Sequence, residues 1–329
     1  MDKIRWGILS TGSIANSFVE DLKFVPDAEV IAVGSRKQAV ADKFGDKHNI
    51  PNRYDSYHAL ANDPEVDVIY VATPHSMHAE NSIMCMEAGK AVLCEKAFCI
   101  TAGEAEKMIA VARREKVFLM EALVTRHFPV IHKVLEWINL GLIGEVRIVQ
   151  ANRCARGSFR PEQRHLNPEL GGGSLLDVGI YVISFSSMIY QQTPKKVVGF
   201  GHVGEFGSDE QGATILEYEN GALGVLTFAL RTEAVNEAYI YGTKGHIKLP
   251  ELFAVPTCAR LHVKGEKEVV FNDKIKGNGL NYQVHEVHRC LREGLLESPR
   301  MPLHESLQIM QTMDKIRAPW SFRYPNDKK

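Results

Sequence analysis

The chain has 329 residues, of which 45% are hydrophobic, and its 39 lysines and arginines nearly balance its 40 aspartates and glutamates. These values are typical of a globular protein of two domains, and a near-neutral chain argues against a general nucleic-acid binder. No segment looks like a targeting signal or a membrane span, so we expect a cytoplasmic protein that does not bind a membrane. The cysteines are scattered, so we expect buried free thiols and no metal site; they are Cys85, Cys94, Cys99, Cys154, Cys258 and Cys290.

The first part of the chain alternates between strand and helix patterns, as parallel α/β units do. Apolar segments predict strands at 4–9, 28–35, 66–73, 91–97 and 117–123. Helical spacing predicts helices at 13–25, 37–49, 76–90 and 101–116. This order predicts a nucleotide-binding α/β domain over residues 1–123.

The composition changes after residue 123. A long helix is expected at 128–144, and strand-like segments follow at 145–154, 195–203, 212–220, 221–230, 237–250, 259–265 and 267–273. A helix at 174–190 interrupts them, and two helical regions at 282–295 and 303–320 close the chain. The turn signals between these strands favour a mostly antiparallel sheet in a second domain, 124–329.

A glycine-containing turn joins the first predicted strand to the first predicted helix. It follows the G-x-G-x-x-G/A pattern of dinucleotide loops, except that a serine stands at the first position; it reads Ser10, Thr11, Gly12, Ser13, Ile14, Ala15. Gly12 would let the backbone approach a pyrophosphate at the helix N-terminus, and Ser10 would need an ordinary backbone conformation. The loop alone fits a plain strand–helix turn equally well.

The end of the second predicted strand favours the cofactor interpretation. An NAD site usually has a carboxylate here for the ribose 2′-hydroxyl. This chain has Ser35, Arg36 and Lys37 instead, a hydroxyl and two cations that suit a 2′-phosphate. We therefore predict NADP as the cofactor, with NAD as a possible second one. The alternative is that Arg36 and Lys37 are merely a solvated helix start.

Two further segments carry reactive side chains. Glu95 and Lys96 end the strand at 91–97, on the sheet edge where open α/β folds bind ligands. Asp177 and Tyr181 stand four residues apart in GGGSLLDVGIY, which would place them on one helix face.

The order of these motifs resembles the glucose–fructose oxidoreductase/inositol dehydrogenase (Gfo/Idh/MocA) family over nearly the whole chain. The matching elements are the N-terminal loop, Ala72-Thr73-Pro74 with His78, Glu95-Lys96, Glu121-Ala122, Arg126 to Pro129, and GGGSLLDVG. The resemblance implies a Rossmann domain and a second α+β domain whose large open sheet serves a homodimer or larger homo-oligomer. Tyr181 replaces a histidine common in the family, and Ala97 replaces a proline. In its Ser10 loop and in this tyrosine, the chain resembles the branch that contains dimeric dihydrodiol dehydrogenase and NADP-dependent D-xylose dehydrogenase.

The resemblance places Thr73, Pro74 and His78 beside the cofactor. The chemistry of the remaining residues can be argued directly. A phenol has a pKa near ~10 and is a weak base at neutral pH, but a nearby lysine cation favours the phenolate. Tyr181 and Lys96 therefore form a plausible acid/base pair, and Asp177 would hold a substrate hydroxyl or orient Lys96.

The substrate-binding side is less defined. Arg164 and His165 would contact the substrate or simply pair on the surface, and Phe159 and Arg126 are further candidates. The function expected is hydride transfer between NADP and a sugar or cyclic vicinal diol, such as an aldose or a trans-dihydrodiol. Two alternatives stay open: a non-catalytic NADP-binding regulator, and a redox-neutral enzyme with a tightly held nucleotide.

Overall fold

The computed structural model describes residues 2–157, 160 and 162–328. This part of the chain divides into two compact units. The first unit contains the residues up to Ala122 together with Ile275–Leu307, and the second contains Leu123–Lys274 together with the residues from Gln308 onward. A single boundary after residue 123 does not describe this division, because residues 275–307 belong to the first unit.

The first unit is built on a six-stranded sheet in the order β3-β2-β1-β4-β5-β6, with every neighbouring pair parallel. Its strands are β1 Ile4–Leu9, β2 Ala28–Gly34, β3 Asn52–Tyr54, β4 Val68–Val71, β5 Ala91–Glu95 and β6 Leu119–Ala122. Its helices are α1 Ser13–Leu22, α2 Gln38–His48, α3 Tyr57–Ala61, α4 His78–Glu87, α5 Ala102–Glu115 and α8 Asn281–Arg292. The strand order is that of a Rossmann fold, which confirms the predicted fold class. β3 and α3 were not predicted, because each is too short for a periodic pattern.

Polar contacts explain why α8 belongs to the first unit. The buried carboxylate of Asp21 accepts hydrogen bonds from the backbone amides of Asn278 (2.9 Å) and Leu280 (2.7 Å). Within α8, His288 accepts a hydrogen bond from the indole of Trp6 (3.0 Å) and faces the carboxylate of Asp27 (3.0 Å). These partners are more than 250 residues apart, so a local sequence pattern carries no sign of them.

The second unit is built on an eight-stranded sheet in the order β14-β13-β12-β11-β7-β10-β9-β8. It is antiparallel except for the β7–β10 pair, as the sequence predicted for most of it. The strands are β7 Val146–Cys154, β8 Lys196–Val203, β9 Asp209–Glu217, β10 Leu223–Ala229, β11 Ala238–Gly242, β12 Gly245–Leu249, β13 Cys258–Val263 and β14 Val269–Asn272. The helices are α6 Pro129–Asn139 and α7 Ile180–Tyr190; the last helix, α9 Leu303–Arg317, begins in the first unit and ends in the second.

The predicted helix at 174–190 has two parts. Residues Leu175–Gly179 form a π-helical turn, and regular α-helix begins at Ile180. The stretch Pro168–Tyr190 is long and apolar enough to cross a membrane by length and composition, which corrects the expectation that no segment is. Its most apolar window is 94% buried inside the protein, as in the core helix of a globular domain.

The cysteines are free, and five of the six are buried. Burial raises the pKa of the Cys94 and Cys99 thiols well above their ordinary value. These thiols stay protonated at neutral pH and are poor nucleophiles.

Candidate active site

The loop between β1 and α1 begins with a residue in a conformation that favours glycine. Ser10 has a φ of 91°, which corrects the expectation of an ordinary backbone conformation. Its amide donates to the carbonyl of Gly34 on β2 (3.0 Å), and this bond helps to fix the turn. The serine therefore performs the geometric role of the first glycine of the motif, at some cost in backbone strain.

The N-terminus of α1 has the features of an anion site. Gly12 is the N-cap residue, no side-chain cap satisfies the first amides, and the first turn holds no acidic residue. A Cβ built on Gly12 would meet no described heavy atom within 4 Å, so the space beside this backbone is open. An uncapped helix N-terminus next to open backbone suits a pyrophosphate. Ala15, at the last position of the motif, is fully buried, as close packing of the helix on the sheet requires.

The end of β2 places its three candidate residues differently. Ser35 is buried and its amide donates to Tyr54 on β3 (3.0 Å), whereas Arg36 and Lys37 are exposed. Arg36 lines a cavity of about 810 Å³ within the first unit. The cavity is also lined by one histidine and three acidic residues, His58, Asp55, Glu80 and Glu87. These residues were not predicted from the sequence, because only the end of β2 was considered.

The segment after β4 is held by the imidazole of His78. Its Nδ1 lies 2.8 Å from the carbonyl oxygen of Ala97, and its Nε2 lies 2.8 Å from the carbonyl oxygen of Thr73. Asn81 also donates to the hydroxyl of Thr73 (3.2 Å). His78 thereby joins the loop after β4, which contains Pro74, to the loop after β5, which carries Lys96.

The loop with Lys96 rests on two buried carboxylates. Glu95 accepts a hydrogen bond from the hydroxyl of Tyr70 and one from the amide of Lys96 (3.2 Å), so its carboxylate faces the protein. Glu121 is fully buried and accepts from the amide of Phe98 (3.1 Å). Between them, the Lys96–Ala97 peptide is cis. Lys96 itself is half-buried at the carboxyl edge of the sheet.

In the second unit, the structure brings two predicted residues together. The carboxylate of Asp177 accepts a hydrogen bond from Nη1 of Arg164 (3.1 Å). Asp177 is buried in the π-helical turn, while the Arg164 side chain is 42% exposed. Arg164 therefore forms an ion pair and still reaches solvent, and its contact with a substrate stays a prediction.

The glycine run before Asp177 has a structural cause. A Cβ on Gly172 would lie 2.4 Å from the carbonyl of Arg164 and 2.5 Å from the amide of Asn167. The glycine backbone therefore lies close to the loop that precedes it in the same chain. That loop presents Arg164, and the glycines let it lie directly on the start of the helix that carries Asp177 and Tyr181.

The remaining candidates lie around α7. Tyr181 is half-buried in its first turn. Arg126 is buried and its guanidinium donates to the hydroxyl and carbonyl of Ser184 on α7, each at 3.3 Å. His165 is half-buried, and its carbonyl accepts from the amide of Gly173 (2.8 Å). Phe159 lies outside the described residues.

Sequence reasoning missed the residues that support the site. Glu121 was noted only as part of a motif, and a charged residue at the end of a buried strand was the available signal. Asp209 and Tyr324, which contact the glycine run, have no local signal, since their partners lie far away in the chain. Among the described residues, no group of three or more histidines, cysteines, aspartates or glutamates is placed to hold a metal ion.

Comparison with known proteins agrees with this geometry. Residues 4–123 match the model of the oxidoreductase family with an NAD-binding Rossmann fold, and residues 131–248 match the Gfo/Idh/MocA C-terminal domain. The chain is 39% identical to the trans-1,2-dihydrobenzene-1,2-diol dehydrogenase of Mus musculus and 36% identical to that of Homo sapiens. Each of these alignments covers 99% of this chain and 99% of the relative.

Solved structures show the same fold. The aldose-aldose oxidoreductase of Caulobacter crescentus, crystallised with glycerol, is similar with a TM-score of 0.88 at 22% identity, over 96% of this chain and 97% of that one. The 3-ketoreductase KijD10 of Actinomadura kijaniata, crystallised with NADP and TDP-benzene, is similar with a TM-score of 0.85 at 25% identity, over 96% and 98%. The match of both domain models and the full-length relatives establish that the chain is an oxidoreductase of the Gfo/Idh/MocA family.

Proposed function

We propose that the chain is an NADP-dependent dehydrogenase that oxidises a CH–OH group of a sugar or of a cyclic vicinal diol. The observation that carries the proposal is the uncapped N-terminus of α1 beside the open backbone of Gly12, in a chain of this oxidoreductase family. Relatives that act on a dihydrodiol, and a similar ketoreductase crystallised with NADP, support the substrate class and the cofactor.

The first unit would hold the cofactor along the carboxyl edge of its sheet. The amides of Ser13 and Ile14 would bind the pyrophosphate, with Ser10, Thr11 and Gly12 forming the turn beneath it. Bound NADP⁺ supplies the hydride acceptor. His78 joins the loops that carry Thr73, Pro74 and Lys96, and these loops would support the nicotinamide ring.

Ser35, Arg36 and Lys37 would select the 2′-phosphate. The exposed guanidinium of Arg36 lines the cavity and would make charge-assisted hydrogen bonds to a phosphate bound there. The carboxylates Asp55, Glu80 and Glu87 on the same cavity oppose a dianion, so the preference for NADP over NAD depends on Arg36 and Lys37. Glu87 is already paired with Arg114 (2.9 Å), which reduces its contribution.

Lys96 and Tyr181 would move the proton. When the substrate C–H bond gives its hydride to the nicotinamide, the hydroxyl proton has to leave as the carbonyl forms. Tyr181 would take this proton as the general base, with Lys96 as its partner in the acid/base pair. In the reductive direction, Tyr181 returns the proton to the developing alkoxide. Asp177, already paired with Arg164, would accept a hydrogen bond from the neighbouring hydroxyl of the diol or sugar.

We also propose that a second copy of the chain covers the outer face of the eight-stranded sheet. Val198 and Ile215 are direct cross-strand partners on this face, and Phe200 lies two residues along β8. They are 60%, 50% and 81% exposed. A strip of large apolar side chains on an open sheet is unfavourable in water and is typical of a homodimer interface.

The test is reduction of NADP⁺ at 340 nm against a panel of aldoses, inositols and trans-dihydrodiols, with NAD⁺ in parallel. Turnover by the wild type and a loss of roughly 10²- to 10⁴-fold in Tyr181→Phe, with unchanged NADP⁺ affinity, would support the proposal. Tyr190→Phe is the matched control, because it removes a phenol from the other end of α7. Retained turnover in Tyr181→Phe would remove the tyrosine from the acid/base role.

The alternative function is a non-catalytic NADP-binding regulator of the same fold. The presence of Lys96, Asp177 and Tyr181 together favours an enzyme, since a regulator has no need of the set. NADP⁺ binding without turnover of any compound in the panel would favour the regulator.

A further inference from the structure

A buried carboxylate outside the proposed catalytic set holds the start of the helix that carries Asp177 and Tyr181. The Oδ2 atom of Asp209 accepts a hydrogen bond from the hydroxyl of Ser174 and another from the amide of Leu175, both at 2.6 Å. Asp209 is 1% exposed. Both donors stand directly before or at the start of the π-helical turn Leu175–Gly179, so Asp209 serves as its N-terminal cap from a distant strand.

The C-terminal segment supports the same point from another direction. The hydroxyl of Tyr324, which is fully buried, donates to the carbonyl of Gly172 (2.9 Å). A Cβ on Gly173 would lie 2.2 Å from Oδ1 of Asp209 and 2.8 Å from the Tyr324 hydroxyl. Gly173 also has a φ of 138°, so no other residue fits there without strain. Asp209 and Tyr324 thus enclose the backbone that leads into the π-helical turn.

A network of charges fixes Tyr324 in turn. Arg317, at the end of α9, donates to both carboxylate oxygens of Asp327 (2.7 Å each) and to Asp314 (2.6 Å). Asp327 then accepts the backbone amide of Tyr324 (2.8 Å). The guanidinium carbon of Arg317 lies 5.3 Å from the centre of the Tyr324 ring. Tyr324 is therefore held by the folded C-terminal turn and has little freedom to follow a movement of the glycine run.

We infer that Asp209 and Tyr324 are positioning residues for the proposed reaction: they fix the π-helical turn and thereby the directions of Asp177 and Tyr181. The inference rests on the proposed function of those two side chains. A turn of π-helix has no capping residue of its own here, since Ser174 makes no side-chain cap bond within the helix. Its placement depends on these two distant partners.

The cost of Asp209 favours positioning over plain packing. Its Oδ1 atom is buried and has no hydrogen-bond partner among the described residues. Burial also raises the pKa of this carboxyl group, although the bonds from Ser174 and Leu175 oppose the rise. A buried carboxyl oxygen without a hydrogen-bond partner destabilises the folded protein. Such destabilisation is expected where a backbone segment has to be held in one place for function.

The test compares Tyr324→Phe with Tyr218→Phe. Both tyrosines are at most 2% exposed, and each has a hydroxyl hydrogen bond inside the second unit, that of Tyr218 being with Ser186 (2.8 Å). For Tyr324→Phe we expect kcat to fall about 10- to 100-fold while the KM for NADP⁺ stays near wild type, because a small misplacement of reacting groups costs this much. The amides of residues 172–179 should also exchange hydrogen faster. Tyr218→Phe should change neither quantity.

Further variants keep the test informative if Tyr324→Phe does not fold. Ser174→Ala removes one donor to Asp209 and should lower kcat by a smaller factor in the same way. Asp209→Asn keeps an oxygen that accepts both donors and should retain more activity than Asp209→Ala. The inference is overturned if Tyr324→Phe, or in its place Ser174→Ala, keeps a kcat within about twofold of the wild type and normal exchange at 172–179. If Tyr181→Phe also keeps full turnover, the proposed function fails as well; if Tyr181→Phe is inactive, only the positioning role is lost.

Discussion

Arg164 and Asp177 form an ion pair in which one partner is buried and the other reaches solvent. The 3.1 Å bond from Nη1 to Oδ1 orients the Asp177 carboxylate in a π-helical turn. We expect an arginine in this position to hold its partner in place and also to bind a hydroxyl of the substrate. The pair links the loop at 162–173 to the proposed chemistry.

Removing Arg164 should affect both catalysis and stability. For Arg164→Leu we expect kcat/KM to fall roughly tenfold or more, since a charge-assisted hydrogen bond contributes about 1.5–3 kcal/mol. The free energy of unfolding should fall by about 1–3 kcal/mol, because the buried Asp177 carboxylate loses this hydrogen bond. The measurements are steady-state kinetics and urea unfolding. Arg231→Leu, which breaks the comparable pair of Arg231 with Glu210, is the control. An unchanged kcat/KM would show that the pair is only a surface contact.

Arg36 should set the cofactor preference. Arg36→Gln should weaken NADP⁺ binding by about 10- to 100-fold and leave NAD⁺ binding nearly unchanged, since only NADP⁺ has the phosphate that the guanidinium would bind. Titration of nucleotide binding at several salt concentrations measures this effect. Lys43→Gln removes a cation from the exposed surface of α2 and should change neither affinity. Equal weakening for both nucleotides would show that Arg36 does not distinguish them.

Glu121 should hold the loop that carries Lys96. The carboxylate of Glu121 accepts hydrogen bonds from the amide of Phe98 and the hydroxyl of Ser306. In Glu121→Gln one of the two oxygens becomes an NH2 group, which donates and therefore faces one of these donors. We expect a loss of about 1–3 kcal/mol in the free energy of unfolding and a lower kcat. Glu104→Gln is the comparison, because Glu104 also accepts a hydrogen bond from a backbone amide, that of Ile100, a few residues further along the chain. A stable variant with normal kcat would separate Glu121 from the placement of Lys96.

His288 should make the protein less stable in mild acid. Burial lowers the pKa of His288, and this effect outweighs the nearby carboxylate of Asp27. The contribution of neutral His288 to the free energy of unfolding is therefore fully present above the unfolded-state pKa of about 6.5. It is lost as the pH falls through the lower folded-state pKa. Burial raises the pKa of Asp27, but hydrogen bonds from Arg292 and His288 outweigh it and leave a value of about 2, so Asp27 stays ionised throughout this range.

The check is the free energy of unfolding between pH 7.5 and 5. His288→Gln should be less stable than the wild type at pH 7.5 and should lose less stability on acidification. Some slope should persist, because burial also lowers the pKa of His48 and His246. An unchanged slope in His288→Gln would contradict the assignment.

The exposed strip on the second sheet should govern assembly. Phe200→Glu places a charge at its most exposed apolar position and should convert a dimer into monomers. Sedimentation or light scattering over a range of concentrations measures the mass. Leu140→Glu changes a residue that is 64% exposed at the C-cap of α6 and belongs to no strand, and it should leave the mass unchanged. A wild type that is monomeric at all concentrations would overturn the proposed interface.

The sequence was most informative where hydrophobic periodicity is strong. The buried strands β1, β2, β4 and β5 and their helices were predicted within a few residues, because a parallel sheet covered on both faces needs continuous apolar runs. β3 was missed, since a three-residue edge strand carries no period. The helix predicted at 128–144 ends at Asn139, because the chain turns through Gly141 and Gly144, both with positive φ.

For the candidate site, the sequence indicates residue types but not the contacts that support them. The sequence left both alternatives for Arg164 open, because Arg164 and Asp177 are thirteen positions apart and a glycine run lies between them. The backbone of Ser10 was predicted wrongly, since a serine at positive φ is held there by the turn and by the bond to Gly34. The contacts of Asp209 and Tyr324 are long-range, and no local pattern reports them.

The return of residues 275–307 to the first unit has a consequence for how the chain is made. Asp21, Trp6 and Asp27 are synthesised more than 250 residues before their partners Leu280 and His288. The nucleotide-binding unit therefore stays incomplete while residues 123–274 of the second unit emerge from the ribosome. A nascent chain released before residue 292 has an open α1 surface and an unpartnered indole, and it is the form that chaperones and proteases would meet.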